Sequence, residues 1–286
     1  MNISDRPFRS VLYVPGSRER ALDKARELRV DAVIMDLEDA VAPDRKSRAR
    51  ELVVDTLNAG GYGNRTIIVR VNGLDTRWGP DDVAAMENAG ADAVLLPKVE
   101  SAANVDEVAE TVNSIDLWAM IETPSGVIHA SEIAAHPRLK GFILGTNDLA
   151  RCLNSRPRPD RTPLLASLQF ALLAARAHHV ICVDGVYNAF RDEEGLRAEC
   201  VQGRDMGYDG KTLIHPAQVA IANEVFAPTA EEVSLAKRRI EAFETAEASG
   251  EGVAVVDGSI VENLHVETDR ALLARAETIS ALENAK

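Results

Sequence analysis

Eight short runs rich in β-branched residues, each followed by a loop and a helical pattern, constrain this chain more than any other feature. They fall at Ser10–Pro15, Ala32–Leu37, Thr66–Val71, Ala93–Pro97, Leu117–Glu122, Gly141–Thr146, Val180–Asp184 and Lys211–His215. Their starts lie roughly 22 to 39 residues apart, the length of a βα unit. Ala32-Val-Ile-Met and Thr66-Ile-Ile-Val are nearly continuous apolar runs, as in parallel strands buried on both faces. Helical patterns at Arg18–Leu28, Arg45–Leu57, Asp81–Ala89 and Ala102–Val112 fill several of the intervals. The alternation predicts an α/β fold, a (β/α)₈ TIM barrel. A doubly wound open sheet is the alternative, but no Gly-x-Gly-x-x-Gly follows any strand.

After His215 the pattern changes. Two helices, at about Pro216–Val225 and Thr229–Ala248, lead to a glycine-rich break at Gly250–Gly252. A hairpin turning at Asp257-Gly258 and a last helix to about Leu282 complete the chain. Residues 1–216 are therefore expected to form the barrel, and 217–286 a C-terminal helical and hairpin lid extension.

The chain has 286 residues, is 46% hydrophobic and carries a formal charge of −13, which argues against a nucleic-acid partner. Its 32 Lys and Arg still suffice for a local anion site. Cys152, Cys182 and Cys200 are too few and scattered for a disulfide framework. They read as buried thiols in a reducing cytoplasm. The polar Met1–Arg9 does not read as a signal peptide, and the apolar Leu164–Val183 is interrupted by Gln169, Arg176, His178 and His179, so no membrane span is expected.

In a barrel the C-terminal strand ends face the active site. Here they read Val14-Pro-Gly-Ser, Asp36-Leu-Glu-Asp, Arg70-Val-Asn, Pro97-Lys, Ile121-Glu-Thr, Gly145-Thr-Asn-Asp, Asp184-Gly and Ile214-His-Pro. Carboxylates from strands 2, 5, 6 and 7 and the cations Arg70 and Lys98 are expected to converge on one rim. Asp44, by contrast, reads as a helix cap, and the stretch Asp44–Glu51 as a helix start with a solvated face. Glu122 and Asp148, from adjacent strands and without clustered His or Cys, favour a hard divalent cation, Mg²⁺ before Mn²⁺. Arg70 could hold a substrate carboxylate bidentately, stabilise an oxyanion, or pair structurally with Asp36 or Glu38. His215 reads as a packing residue, and Ser17 lacks a nucleophile-elbow context.

These strand ends, with Asp36-Leu-Glu-Asp-Ala-Val, Leu96-Pro-Lys, Gly145-Thr-Asn-Asp-Leu and Gly210-Lys-Thr-Leu-Ile-His-Pro-Ala-Gln, resemble the citrate lyase β-subunit-like family of acyl-CoA lyases. That family is part of the HpcH/HpaI aldolase superfamily. The resemblance runs in family order over nearly the whole chain. It implies Mg²⁺ on Glu122 and Asp148, Arg70 at the substrate with Asp36, Glu38, Asp39 and Lys98 in support, and coenzyme A thioester substrates. It also implies a homo-oligomer, trimer or hexamer, in which a C-terminal segment covers a neighbour's site. Arg18, Arg20 and Lys24 become candidates for coenzyme A phosphates. Where the family's lid carries Asp in Gly-x-Met-Ile/Val-Asp, this chain has Gly258-Ser-Ile-Val-Glu262. That segment and Asp184–Gly195 look closest to the family's (3S)-malyl-CoA thioesterase branch. Hydrolysis to malate and coenzyme A, with Glu262 activating water, is therefore expected. Carbon–carbon cleavage of malyl-CoA, methylmalyl-CoA or citramalyl-CoA is the alternative reaction, and a non-catalytic acyl-CoA-binding barrel the alternative class.

Overall fold

The computed structural model describes residues 6–284. Eight parallel strands close into a barrel in strict sequence order: β1 (Ser10–Pro15), β2 (Ala32–Asp36), β3 (Thr66–Arg70), β4 (Ala93–Leu96), β5 (Asp116–Ile121), β6 (Leu139–Leu144), β7 (Ile181–Asp184) and β8 (Gly210–Leu213), with β8 hydrogen-bonded to β1. All eight expected strands are present. The ring wraps between helices α1 (Glu19–Ala25), α2 (Lys46–Ala59), α3 (Gly79–Met86), α4 (Ala102–Ala109), α5 (Pro124–Ile128), α6 (Ala130–Ala134), α7 (Thr146–Cys152), α8 (Leu165–Ala177), α9 (Glu193–Met206) and α10 (Val219–Val225).

Strand alternation explains how one sequence fills two cores. On β1 Val11 points inward and Leu12 and Val14 outward; on β2 Ile34 points in while Val33 and Met35 pack against the helices. The interior is plugged at its lower end by Phe8 and Trp118, whose rings lie 5.0 Å apart. Gly141 permits this, because a Cβ there would sit 2.2 Å from the Trp118 ring. Register then lines up the chemistry: Pro15 pairs with Asp36, Asp36 with Arg70, and Ile121 with Leu144, one residue before Glu122 and Gly145.

The chain divides into two compact units, one ending at Phe226 and one beginning at Ala227. The expected boundary at 216/217 precedes α10, which packs on α9 and β1 within the barrel unit. The second unit contains α11 (Ala230–Ala248), the hairpin β9 (Ala254–Val256) and β10 (Ser259–Val261), and α12 (Asn263–Asn284). Its turn has φ +50° at Asp257 and +78° at Gly258, both in the left-handed region that a two-residue hairpin requires. Asp257 is held by a two-fold bond from Arg238 at 2.8 Å. Among the described residues no helix is long and apolar enough to cross a membrane.

Three local expectations need correcting. Asp44 caps nothing: Pro43–Arg45 is a short 3₁₀ turn and α2 begins without a side-chain cap. Lys46 is buried rather than solvated, because its ammonium donates to the Leu37 and Glu38 carbonyls and to Asn72 Oδ1. Cys182 and Cys200 are buried, but Cys152 is exposed at the end of α7.

Candidate active site

A cavity of about 320 Å³ opens at the C-terminal ends of the barrel strands. Asp36, Asp39, Arg70, Glu122 and Asp148 line it, together with Tyr13, Met120 and Thr146. Glu38 and Lys98 line an adjoining pocket of about 750 Å³. The fold therefore brings most of the expected site residues together. Asp184 is the exception on the rim: it is fully buried, bound by Arg161 and Lys211, and does not line the cavity. Arg18, Arg20 and Lys24 are exposed on or beside α1, just beyond β1, and line neither pocket. Glu262 lies in the second unit, exposed, its backbone N–H donating to His265 Nδ1 at 3.0 Å.

Arg70 is the most constrained group. Its Nε and Nη2 donate to the two oxygens of Asp36 at 2.8 and 2.7 Å, and Nη1 lies 3.1 Å from Glu38 and 3.5 Å from Met120 Sδ. Asp36 is itself saturated, since it also accepts from the Glu38 and Ala40 backbone N–H groups. The structural ion pair is thus realised, and the guanidinium fork is not free to grip a substrate carboxylate bidentately. Burial disfavours the Arg70 charge, but Asp36 outweighs it and holds the group more firmly cationic than usual. Tyr13 stacks over the guanidinium at 5.0 Å and points its hydroxyl at Met120 Sδ. Burial raises the Tyr13 phenol well above its ordinary range, so it stays protonated. Tyr13 was not expected at the site, although it sits two residues from inward-facing Val11, which places it on the interior face.

Glu122 follows β5 and is 2% exposed. Its Oε1 accepts the Lys98 backbone N–H at 2.8 Å, and Lys98 takes a left-handed φ of +50° to offer it. The Lys98 ammonium reaches back to Glu38 Oε1 at 2.9 Å, so one residue ties the β2 loop to Glu122. Burial pushes Glu122 up to about 7; the Lys98 N–H and Arg70 pull it down, and the Asp148 charge adds to the rise. Asp39 is raised to about 6, by burial and then by Glu38. Burial opposes ionisation of Glu38 as well, but Arg70 and Lys98 prevail and lower it.

Among the described residues no cluster of three or more His, Cys, Asp or Glu side chains is arranged as a metal cage. The cavity offers two carboxylates, Glu122 and Asp148, and Asp148 Oδ1 already accepts from Arg151 at 2.6 Å. Two oxygen donors with open space suit Mg²⁺, which retains several waters and takes one or two carboxylates plus substrate oxygens. Gly145 supports this fit: a Cβ there would lie 2.3 Å from the Glu122 carboxylate, so only glycine lets that carboxylate lie where it does. Gly145→Ala is expected to keep the barrel folded while weakening Mg²⁺ binding by about 10- to 100-fold, as displaced ligand supports generally do. Calorimetric Mg²⁺ titration beside a far-UV melt checks this.

Residues 9–216 match the family model described as HpcH/HpaI aldolase/citrate lyase. The chain is similar to a (3S)-malyl-CoA thioesterase of Cereibacter sphaeroides, 62% identical over 275 residues that cover 96% of each protein. It is also similar to an L-malyl-CoA/beta-methylmalyl-CoA lyase of that organism, 36% identical over 307 residues and 96% of each. Among solved structures, CitE of Mycobacterium tuberculosis in complex with magnesium, acetoacetate and coenzyme A superposes with a TM-score of 0.80. That pair is 31% identical, over 96% of this chain and 99% of the other.

Proposed function

This chain belongs to the HpcH/HpaI aldolase/citrate lyase family, and from that membership we propose that it hydrolyses a malyl-CoA-type thioester, (3S)-malyl-CoA and water giving malate and coenzyme A. The observation that carries the reading is the meeting of Glu122, Asp148 and Arg70 around one cavity at the strand ends. Glu122 and Asp148 would hold Mg²⁺, which when bound supplies a template and Lewis acid for substrate oxygens. Mn²⁺ would be accepted by the same hard donors.

The protein's own groups do the rest. Arg70 presents a fixed positive edge where charge develops on the thioester carbonyl oxygen as water adds. Asp36, Glu38 and Asp39 keep that edge in place, and Lys98 holds Glu122 through its backbone and Glu38 through its side chain. Glu262 of a neighbouring copy takes the proton from the attacking water, and the proton then leaves with the coenzyme A sulfur as the C–S bond breaks. Arg18, Arg20 and Lys24 meet coenzyme A phosphates. This requires a homo-oligomer, which we propose to be a homotrimer or a dimer of trimers working in the cytoplasm.

Cleavage at the C–C bond is the second reading, favoured by the similarity to a lyase and by the fact that the same cavity would serve it. The two differ in product. With (3S)-malyl-CoA and Mg²⁺, free thiol appearing with malate is expected; acetyl-CoA with glyoxylate would overturn hydrolysis in favour of the lyase.

A further inference from the structure

Two donors at the upper end of the barrel interior share one soft atom. Tyr13 Oη donates to Met120 Sδ at 3.7 Å, and Arg70 Nη1 points at the same sulfur at 3.5 Å. A thioether is a weak acceptor, so both donors converge on an atom that satisfies neither well. Tyr13, Arg70 and Met120 all line the reaction cavity. The phenol faces that cavity for a topological reason. Tyr13 lies on the inward face of β1, two residues after Val11, and the barrel below is plugged by Phe8 and Trp118. The exposed part of half-buried Tyr13 therefore opens towards the strand ends. Arg70, by contrast, has little hydrogen bonding left to give. Its Nε and Nη2 serve Asp36, and Nη1 lies 3.1 Å from Glu38. Two other polar residues of the lining are also occupied: Thr212 donates its hydroxyl to the Asp184 carbonyl, and the Asn147 amide pairs with that of Asn188.

We propose that Tyr13 is a further catalytic residue, its phenol donating a hydrogen bond to the thioester carbonyl oxygen beside Arg70 as water adds. The inference rests on the hydrolytic reading given above. As the water oxygen bonds to the carbonyl carbon, the C=O π pair moves onto oxygen. An oxygen seated at the Met120 sulfur meets both donors at once. Met120 gives way readily, because its unbranched side chain has three rotatable bonds. The exchange gains most in the transition state: sulfur accepts weakly throughout, whereas the substrate oxygen becomes a strong acceptor as it turns anionic. Tyr13 keeps its proton and transfers nothing. The pair returns from oxygen to carbon as the C–S bond breaks, and the phenol is left as it began. Arg70 supplies charge that Asp36 already offsets, so the phenol adds the donor that the clamped guanidinium is poorly placed to give.

Tyr13→Phe tests the assignment, because it keeps the ring 5.0 Å from the Arg70 guanidinium and deletes only the hydroxyl. With (3S)-malyl-CoA and saturating Mg²⁺, kcat is expected to fall by about 10²-fold with KM little changed, the loss typical of one oxyanion donor. Melting temperature, and Mg²⁺ affinity by calorimetry, are expected to match the wild type. Wild-type turnover in Tyr13→Phe would overturn the proposal. So would a raised KM at unchanged kcat, since the hydroxyl would then serve ground-state binding alone. A loss of turnover matched by a loss of Mg²⁺ affinity or of melting temperature would also overturn it, making Tyr13 a structural neighbour of the site. Failure of the hydrolytic reading shows separately, in the wild type, as acetyl-CoA and glyoxylate in place of free thiol and malate. The comparison of Tyr13→Phe with wild type stays decisive in that case, because C–C cleavage also places charge on the thioester oxygen, as an enolate.

Discussion

Glu122→Gln is expected to lower kcat/KM for malyl-CoA hydrolysis by about 10³-fold or more, because several kcal/mol of charge stabilisation go with a catalytic metal. The same substitution is expected to make the metal-free protein more stable. Burial raises Glu122 to about 7 in the fold, well above the unfolded value near 4.3. A carboxyl raised on folding favours the native state below its unfolded pKa, and that benefit is lost as pH climbs towards the folded pKa. Between about pH 4.5 and 7 wild-type stability therefore falls, by roughly 3 kcal/mol at most, and stays lower above pH 7. Glutamine has no proton to lose. The gain in Tm from Glu122→Gln should thus be largest at pH 8, shrink through pH 6 and vanish near pH 4. Melts in EDTA across that range, beside a thiol-release assay, check both halves. A variant that is inactive and less stable at pH 8 would mean that Glu122 is a structural anchor and not a metal ligand.

Lys211→Met is expected to cost about 3–5 kcal/mol, the usual penalty for stripping one partner from a buried ion pair. Lys211 is fully buried, with its ammonium 2.9 Å from Asp184, 2.7 Å from Glu199 and 2.7 Å from the Gly185 carbonyl. Burial works against the Asp184 charge, yet Lys211 and Arg161 together hold its carboxyl below the ordinary value. In the wild type this contribution is present above the unfolded pKa, near 3.9, and is lost only as pH falls through the lower folded one. With Lys211 gone, Asp184 keeps only Arg161, so acid unfolding should begin at a higher pH. Urea denaturation at pH 7 and pH 5 measures the loss. The double variant with Asp184→Asn should recover part of it, because the stranded charge is then removed.

The barrel was legible because strand alternation repeats eight times, and each repeat states the same period. The cavity was legible for a related reason: residues that close a strand or follow it within a few positions have few places to go, so Asp36 and Arg70 at strand ends and Glu122 and Asp148 just beyond them line one cavity. Asp184 shows the limit. It closes β7 just as Asp36 and Arg70 close β2 and β3, but a strand end does not announce which way its last side chain turns, and Arg161 and Lys211 hold Asp184 buried. Lys46 could not be read either, since its carbonyl partners come from the β2 loop and no local pattern marks a lysine as buried. Arg161 sits in a loop without periodicity, and only folding brings it to Asp184, 23 residues away. Glu262 was singled out by a motif position, and a motif carries no distance.

The clamp on Arg70 bears on selectivity. Asp36 holds the guanidinium by two bonds and is itself held by two backbone N–H groups, while the Tyr13 ring lies against the planar face of the same cation. A wall built this way has almost no rotameric slack. It aligns its dipole before any ligand arrives, so little reorganisation energy is left for the reaction itself. For the same reason it does not step aside for a longer or branched acyl chain. Under the proposed function the acyl group meets this wall, so substrate range would follow its fixed dimensions, and broadening it would require loosening Asp36 rather than replacing Arg70.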